Sequence, residues 1–373
     1  MAYDSTPSTP RRWPIGLPPL TPEQVEAFGR EMDALREAVI ASRGQRDAAY
    51  IRRVIRLQRG LELTSRGVIY GGILFPPAFV IGAVGLGVAK ILENMEIGHN
   101  VMHGQWDWMR DPAIHSSTWE WDTVCPSSQW KNTHNVEHHT WTNVIGKDRD
   151  IGYGILRMSE AEKWHPVHLL NPINNALLAI FFQWGVGLHD AEMDQIARTG
   201  SLRAESRGKL RELWRKARKQ VLKDYLLFPA LAGPFFLPVL LANIGANLIR
   251  NLWSYMIIFC GHFPDGVHQF TEAEIENESR GGWYLRQLLG SANIEGGPLM
   301  HLLSGNLSFQ IEHHLFPDLP SNRYAELSPK VKAVCERYGL PYNSASLRRQ
   351  FGTTLGRVFR LALPTRSGAA VTA

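Results

Sequence analysis

Seven of the fourteen histidines in this 373-residue chain fall into three tight groups. His99 and His103 form HNVMH, His134, His138 and His139 form HNVEHH, and His313 and His314 close QIEHH. His262 and His268 follow an apolar run in GHFPDGVHQF. On a helix, residues four apart share a face, so each of the first two groups can aim a pair of imidazoles at one point. His139 points about 100° away from His138 and can serve a second ion. This many converging rings exceed what one first-row metal takes. They suit two ions of six-coordinate iron, with mixed nitrogen and oxygen ligands that leave room for dioxygen. Soluble di-iron bundles use Glu together with Glu-x-x-His, and no repeat of that pattern occurs here.

His262 lies where an apolar helix should end, an expensive place for a polar ring without a partner, and it counts with the ligands. His268 and His301 are further candidates. His115, His165, His168 and His189 are read as ordinary surface or hydrogen-bonded rings. Ligating imidazoles usually donate their second N–H to a carboxylate or carbonyl. Glu96, Glu137 and Glu312 lie beside or between the box histidines and could take that role, or simply face water. Asn306 could accept a metal-bound water. Trp106, Trp108, Trp119, Trp121 and Trp130 lie between the first two groups. They could line an apolar slot for a chain or anchor a membrane interface.

The segments around these groups must hold them at one place. Residues 1–20 carry five prolines and no periodicity, and read as a disordered arm. Residues 21–62 read as amphipathic helices, starting at the capping box Thr21-Pro22-Glu23-Gln24. The second, from Ala48 to about Leu63, carries Arg52, Arg53, Arg56 and Arg59, and either lies on anionic headgroups or is a solvated helix. Gly67 to Leu92 has no charge before Lys90 and reads as membrane-spanning, interrupted at Phe75-Pro76-Pro77 into a hairpin of short segments. A further apolar segment, Leu169 to about Gly187, could span or lie at the interface. Two more, Tyr225 to about Leu241 and Ile244 to about Cys260, read as a second hairpin, which returns the chain to the side it left. The histidine groups before and after it then share one face. The charged loop 190–223 is cytoplasmic by its excess of Lys and Arg. The membrane domain runs over residues 63–340, and 341–373 form a peripheral basic tail.

Composition fits this reading. The charged fraction is 20%, below the roughly 25% of soluble domains, and the mean hydropathy is only -0.19, so much of the chain still meets water. A net charge of +5 is too small to argue for nucleic acid and suits a membrane protein with a basic cytoplasmic face. Cys125, Cys260 and Cys335 form no CxxC pair, which gives neither a disulfide framework nor a thiolate metal site. The first residues lack the apolar core of a cleaved signal peptide. GAVGLG at 82–87 sits in an apolar segment, where helix packing explains it better than phosphate binding.

The three groups resemble the histidine boxes of the membrane fatty acid desaturase family: HNVMH at 99–103, HNVEHH at 134–139 and QIEHHLFP at 310–317. Gln310 stands where the animal acyl-CoA branch has a histidine, as in front-end and many bacterial members. GHNVMHGQWDWMRDP, WEWDTVCP and NVIGKDRDIGYG are similar to the actinobacterial branch that desaturates stearoyl-CoA at position 9. The resemblance covers roughly residues 50–340. It implies an all-α integral membrane protein, with about four transmembrane helices beneath a cytoplasmic helical cap. The cap would hold two iron ions on His99, His103, His134, His138, His139, His262, His313 and His314. The implied reaction is dioxygen-dependent formation of a cis double bond in a saturated C16–C18 acyl chain, on CoA or on a lipid, at the cytoplasmic face of the inner (plasma) membrane. The alternative is a di-iron hydroxylase or monooxygenase of an alkyl or lipid substrate. No HPGG haem motif, paired-cysteine cluster or GxGxxG fingerprint is present. Electrons would then come from NADPH through a separate protein, a ferredoxin-type carrier, an NAD(P)H-dependent reductase or both.

Overall fold

The computed structural model describes residues 19–193 and 204–365. The arm at 1–20, apart from its last two residues, lies outside the described residues, as do 194–203 of the charged loop and 366–373 of the tail. Helix α1 (Pro22–Ser42) starts on the expected capping box: Gln24 N–H donates to Thr21 Oγ1 at 3.3 Å, and Thr21 N–H to Gln24 Oε1 at 2.8 Å. Its apolar face, Val25, Phe28 and Met32, packs into a core with Tyr284, Leu315, Phe316 and Leu327. Gly29 permits this approach, because a Cβ there would stand 2.8 Å from the Gly281 backbone.

Two helical hairpins form the frame. Helix α2 (Gln45–Gly71) continues through the basic stretch read as either a membrane-surface or a solvated helix. Its inner face, Ile51, Val54 and Ile55, packs on Ile97, Val101 and Trp106. The chain turns at 72–76, and Pro77 starts helix α3 (Pro77–Met102). Proline suits that first turn, where no N–H is required. The second hairpin pairs a helix over 204–230, α4, with helix α5 (Phe236–His262).

The second hairpin turns about ten residues earlier than the sequence suggests. Ala242 and Asn243, expected at the break, lie inside the continuous α5. The break falls instead at Gly233-Pro234, where Gly233 takes φ +56°. The glycine has the backbone freedom that turn needs, and no apolar pattern reports it. Leu169 to Gly187 also differs from a span. It forms α6 (Asn171–Ile180) and α7 (Phe182–Asp190), broken at Phe181, and 10 and 9 residues are too short to cross lipid.

About four spans were expected. Among the described residues, two helices are long and apolar enough, Pro77–Met102 and Gly233–His262. Their hairpin partners carry charge into the apolar region, Arg66 on α2 and Lys223 with Asp224 on α4. Among the described residues the architecture is all-α apart from a two-stranded parallel pair, β1 (Asn293–Glu295) with β2 (Ser344–Ser346). The cap adds α8 (Arg280–Leu289), α9 (Pro298–Leu303), α10 (Gln310–Leu315) and α11 (Tyr324–Arg337). Residues 341–365, expected as a peripheral tail, supply β2 and α12 (Leu347–Ala362), which packs on α5 and α6.

Candidate metal centre

Four elements carry the box histidines. The end of α3 holds His99 and His103, and the helix over 127–141 holds His134, His138 and His139. His262 ends α5, and α10 holds His313 and His314. Leu92–His99 and Lys131–His138 are both π-helical. Such wide turns inside α-helices frequently mark functional sites. The hairpins bring α3 and α5 side by side, so histidines far apart in sequence meet above them.

The rings sort into two groups. One nitrogen from each of His99, His103, His134 and His313 lies within 4.8 Å of the others, and His138, His262 and His314 do the same. His99 Nε2 and His313 Nε2 are 3.3 Å apart, as are His314 Nε2 and His262 Nε2. His139 lies between the groups, its ring centre 4.9 Å from His313 and 4.5 Å from His314. The expected pair of His134 and His138 divides between the groups. Their rings remain stacked at 5.1 Å, and both approach Asp150.

These nitrogens are buried, yet His103 Nε2, His134 Nε2, His138 Nε2 and both nitrogens of His139 have no hydrogen-bond partner. Buried polar atoms are rarely left unpaired, because desolvation is then uncompensated. Lone pairs converging from several directions fit metal ions, and an all-imidazole set suits iron as it does zinc, copper or nickel. Burial, and then neighbouring imidazoles, hold His103, His139, His313 and His314 well below the usual imidazole range. The neutral ring is the form that ligates.

A surrounding shell orients the rings. His138 Nδ1–H donates to the Asp148 carboxylate at 3.0 Å, which turns Nε2 inward. Burial alone would depress this imidazole, but Asp148 and Asp150 push it up to about 9. His314 Nδ1–H donates to Gln287 Oε1 at 3.0 Å, and Gln310 Nε2 stands 3.0 Å from His262 Nε2. Asp150 accepts from His189 Nε2 at 3.1 Å. His189, read as bland, therefore lies one layer behind the site. Sequence reasoning missed Asp148, Asp150 and Gln287. Two acids at alternate positions soon after HNVEHH, in a segment with no apolar period, were the available signal for the first two; Gln287 had none.

Other candidates lie elsewhere. Glu96 bonds Tyr50, Asn306 and Ser321 rather than an imidazole. Glu312 is held by Asn293 and Tyr342, and Glu137 faces Asn132 and Arg149. Asn306 is engaged with Glu96 and Tyr50. His301 bonds Ser308 at 2.8 Å, and His268 stands 3.6 Å from Glu274; neither joins a group. A carboxylate next to a histidine in sequence points off its own helix in a different direction, so adjacency was a poor guide. Trp130 stacks on His134 at 4.3 Å with Trp121 behind it, and both line an internal cavity, whereas Trp106 is core.

Comparison with known proteins agrees with this geometry. The fatty acid desaturase family pattern matches residues 74–346, which contain every histidine of the two groups. A Mycobacterium tuberculosis protein named NADPH-dependent stearoyl-CoA 9-desaturase is 50% identical over 351 residues, covering 93% of this chain and 82% of that protein. An acyl-lipid (7-3)-desaturase of Rebecca salina is 25% identical over 84% of this chain and 71% of its own length. The sn-1 linoleoyl-lipid 6-desaturase of Synechocystis is 26% identical over 74% of this chain and 77% of its own length. The chain belongs to the fatty acid desaturase family.

Proposed function

We propose that this chain is a membrane-bound, dioxygen-dependent desaturase that forms a cis double bond at position 9 of stearoyl-CoA. The observation that carries the reading is the meeting of both histidine groups with one largely apolar internal cavity. His99, His134, His138 and His262 line it together with Met95, Phe182, Val186 and Ile258. The M. tuberculosis relative's name supports the substrate and the NADPH dependence.

His99, His103, His134 and His313 would hold one iron, and His138, His262 and His314 the other, with His139 reaching either. Bound iron would supply the dioxygen chemistry that takes hydrogen from an unactivated methylene. The protein's own work is positioning. Asp148 and Gln287 fix which nitrogen of His138 and His314 faces the ion. The cavity walls keep water from the reacting carbons and hold one C–C bond beside the histidines, and such fixed proximity is a large part of catalysis. The histidine-bearing ends of α3 and α5 meet at one place, which supports a single cap, placed on the cytoplasmic face of the inner membrane. The electrons would reach it from NADPH through a separate reductase or ferredoxin-type carrier.

The test is reconstitution. Protein purified in detergent and loaded with iron should approach two irons per chain by elemental analysis. With an electron donor, it should convert stearoyl-CoA to the 9-unsaturated product. A folded sample with no affinity for iron would sink the reading, and oxygen retained in the product would make it a hydroxylase. A second outcome tests the surrounding shell. Asp148→Asn should lower iron affinity or turnover about 10- to 100-fold without unfolding the chain, the usual cost of losing a carboxylate behind a ligating imidazole. Unchanged titration with iron would remove Asp148 from this role.

A further inference from the structure

A cluster of charges lies deep in the helical frame, away from the histidines. Lys90 on α3 is 2.9 Å from Asp224 on α4 and 3.1 Å from Asp122. Lys223 also pairs with Asp122. Arg250, in the middle of apolar α5, donates to Asn247 at 3.1 Å, to Asn251 at 3.2 Å and to the Asp122 carbonyl at 3.2 Å. Asn247 in turn donates to Asp224 at 3.1 Å. Lys90, Arg250 and Asp224 are 2%, 1% and 0% exposed. Ionisable groups inside membrane helices are costly, and they usually mark a function.

The cavity that touches the histidines reaches this cluster. Along α5 its wall is Arg250, Asn251, Ser254, Ile258 and His262, one helix face. Twelve residues of helix place Arg250 about 18 Å from His262. Asn94 lines the same end from α3, one turn beyond Lys90. The cavity is therefore lined by histidines and, about 18 Å along α5, by Arg250 and Asn251, the edge of a hydrogen-bonded lattice of ions.

We propose that this ion lattice is the floor of the acyl cavity and sets the longest chain the enzyme accepts. The inference rests on the desaturase reading above. An apolar floor yields to a longer chain by changing side-chain rotamers. A floor of paired ions does not, because each displaced group would lose its partner in a medium that cannot solvate it. Methylenes beyond the floor have nowhere to go, and the cut-off in chain length is sharp. A merely structural lattice, tying the two hairpins together, would instead govern stability and leave chain length alone.

The test uses iron-loaded full-length protein and saturated acyl-CoAs of rising length. It measures turnover with an added donor and also binding, by quenching of tryptophan fluorescence, since Trp121 and Trp130 line the cavity. Arg250→Met combined with Asp122→Asn removes one charge of each sign and keeps the volumes. It should raise binding and kcat/KM for a chain two carbons longer than stearoyl, relative to stearoyl, by about ten-fold or more, since each of the two methylenes in a pocket is worth at least about ten-fold. Arg250→Lys should retain the wild-type profile. Asn251→Ala, which removes no charge, should shift the limit in the same direction and decides the matter if the double variant does not fold. A length profile unmoved in folded variants overturns the proposal. So does a loss of affinity uniform across lengths, which would make Arg250 an anchor for the acyl head. Wild-type protein that binds no acyl chain overturns the desaturase reading as well, whereas a wild type that desaturates stearoyl-CoA beside unshifted variants overturns this inference alone.

Discussion

His138→Ala should abolish desaturation while leaving the protein inserted in the membrane. His138 is buried, its Nδ1–H is fixed on Asp148, and its Nε2 faces His262 and His314 with no other partner. The alanine variant leaves one group with two imidazoles. Removing a carboxylate behind a ligand already costs about 10- to 100-fold, so losing the ligand should exceed about 100-fold. The spanning helices lie elsewhere in the chain, and insertion depends on their apolar length. Iron content should fall toward one per chain while extraction from membranes and the elution profile in detergent stay unchanged. An inserted variant with near-normal product formation would remove His138 from the centre.

The second large effect is dependence on a donor. Reduction of dioxygen to water takes four electrons, and forming a double bond supplies only two of them. The described residues gather no cluster of cysteines, since Cys125, Cys260 and Cys335 are each buried and free. Iron-loaded protein given acyl-CoA, oxygen and NADPH should therefore form no product catalytically. Adding an NADPH-dependent reductase system should restore continuous turnover. Product formed over many turnovers without any added protein would overturn the requirement.

The chemistry was more legible than the frame. Spacing in HNVMH and HNVEHH and the apolar run before His262 point to candidate ligands, because a metal site needs particular residue types at helical intervals. The structure brings together all eight histidines singled out as ligands. The shell behind them was hidden, because Asp148 and Gln287 reach their rings through the fold and not through helix spacing. The turns were misjudged for a similar reason. Hydropathy averages over many residues, whereas Gly233 makes its turn with one backbone angle. Of the about four spans that the family resemblance implies, two helices among the described residues are long and apolar enough, and Leu169–Gly187, read as a span or an interfacial segment, is broken at Phe181.

The two spanning helices do more than anchor the chain, since each ends on ligands. His99 lies 22 residues beyond Pro77 at the hairpin turn, and His262 lies 26 beyond Phe236. These rises are about 33 and 39 Å, against a hydrocarbon core of about 30 Å. On the proposed reading, helix length would act as a depth gauge that holds the histidine centre just above the acyl region, at headgroup level. A chain can then enter methyl end first while its polar end stays in the interface. A bilayer a few ångströms thicker or thinner shifts the helices by tilt rather than by stretching. On the same reading the cavity mouth would then move relative to the lipid headgroups, and the reaction would depend on membrane thickness.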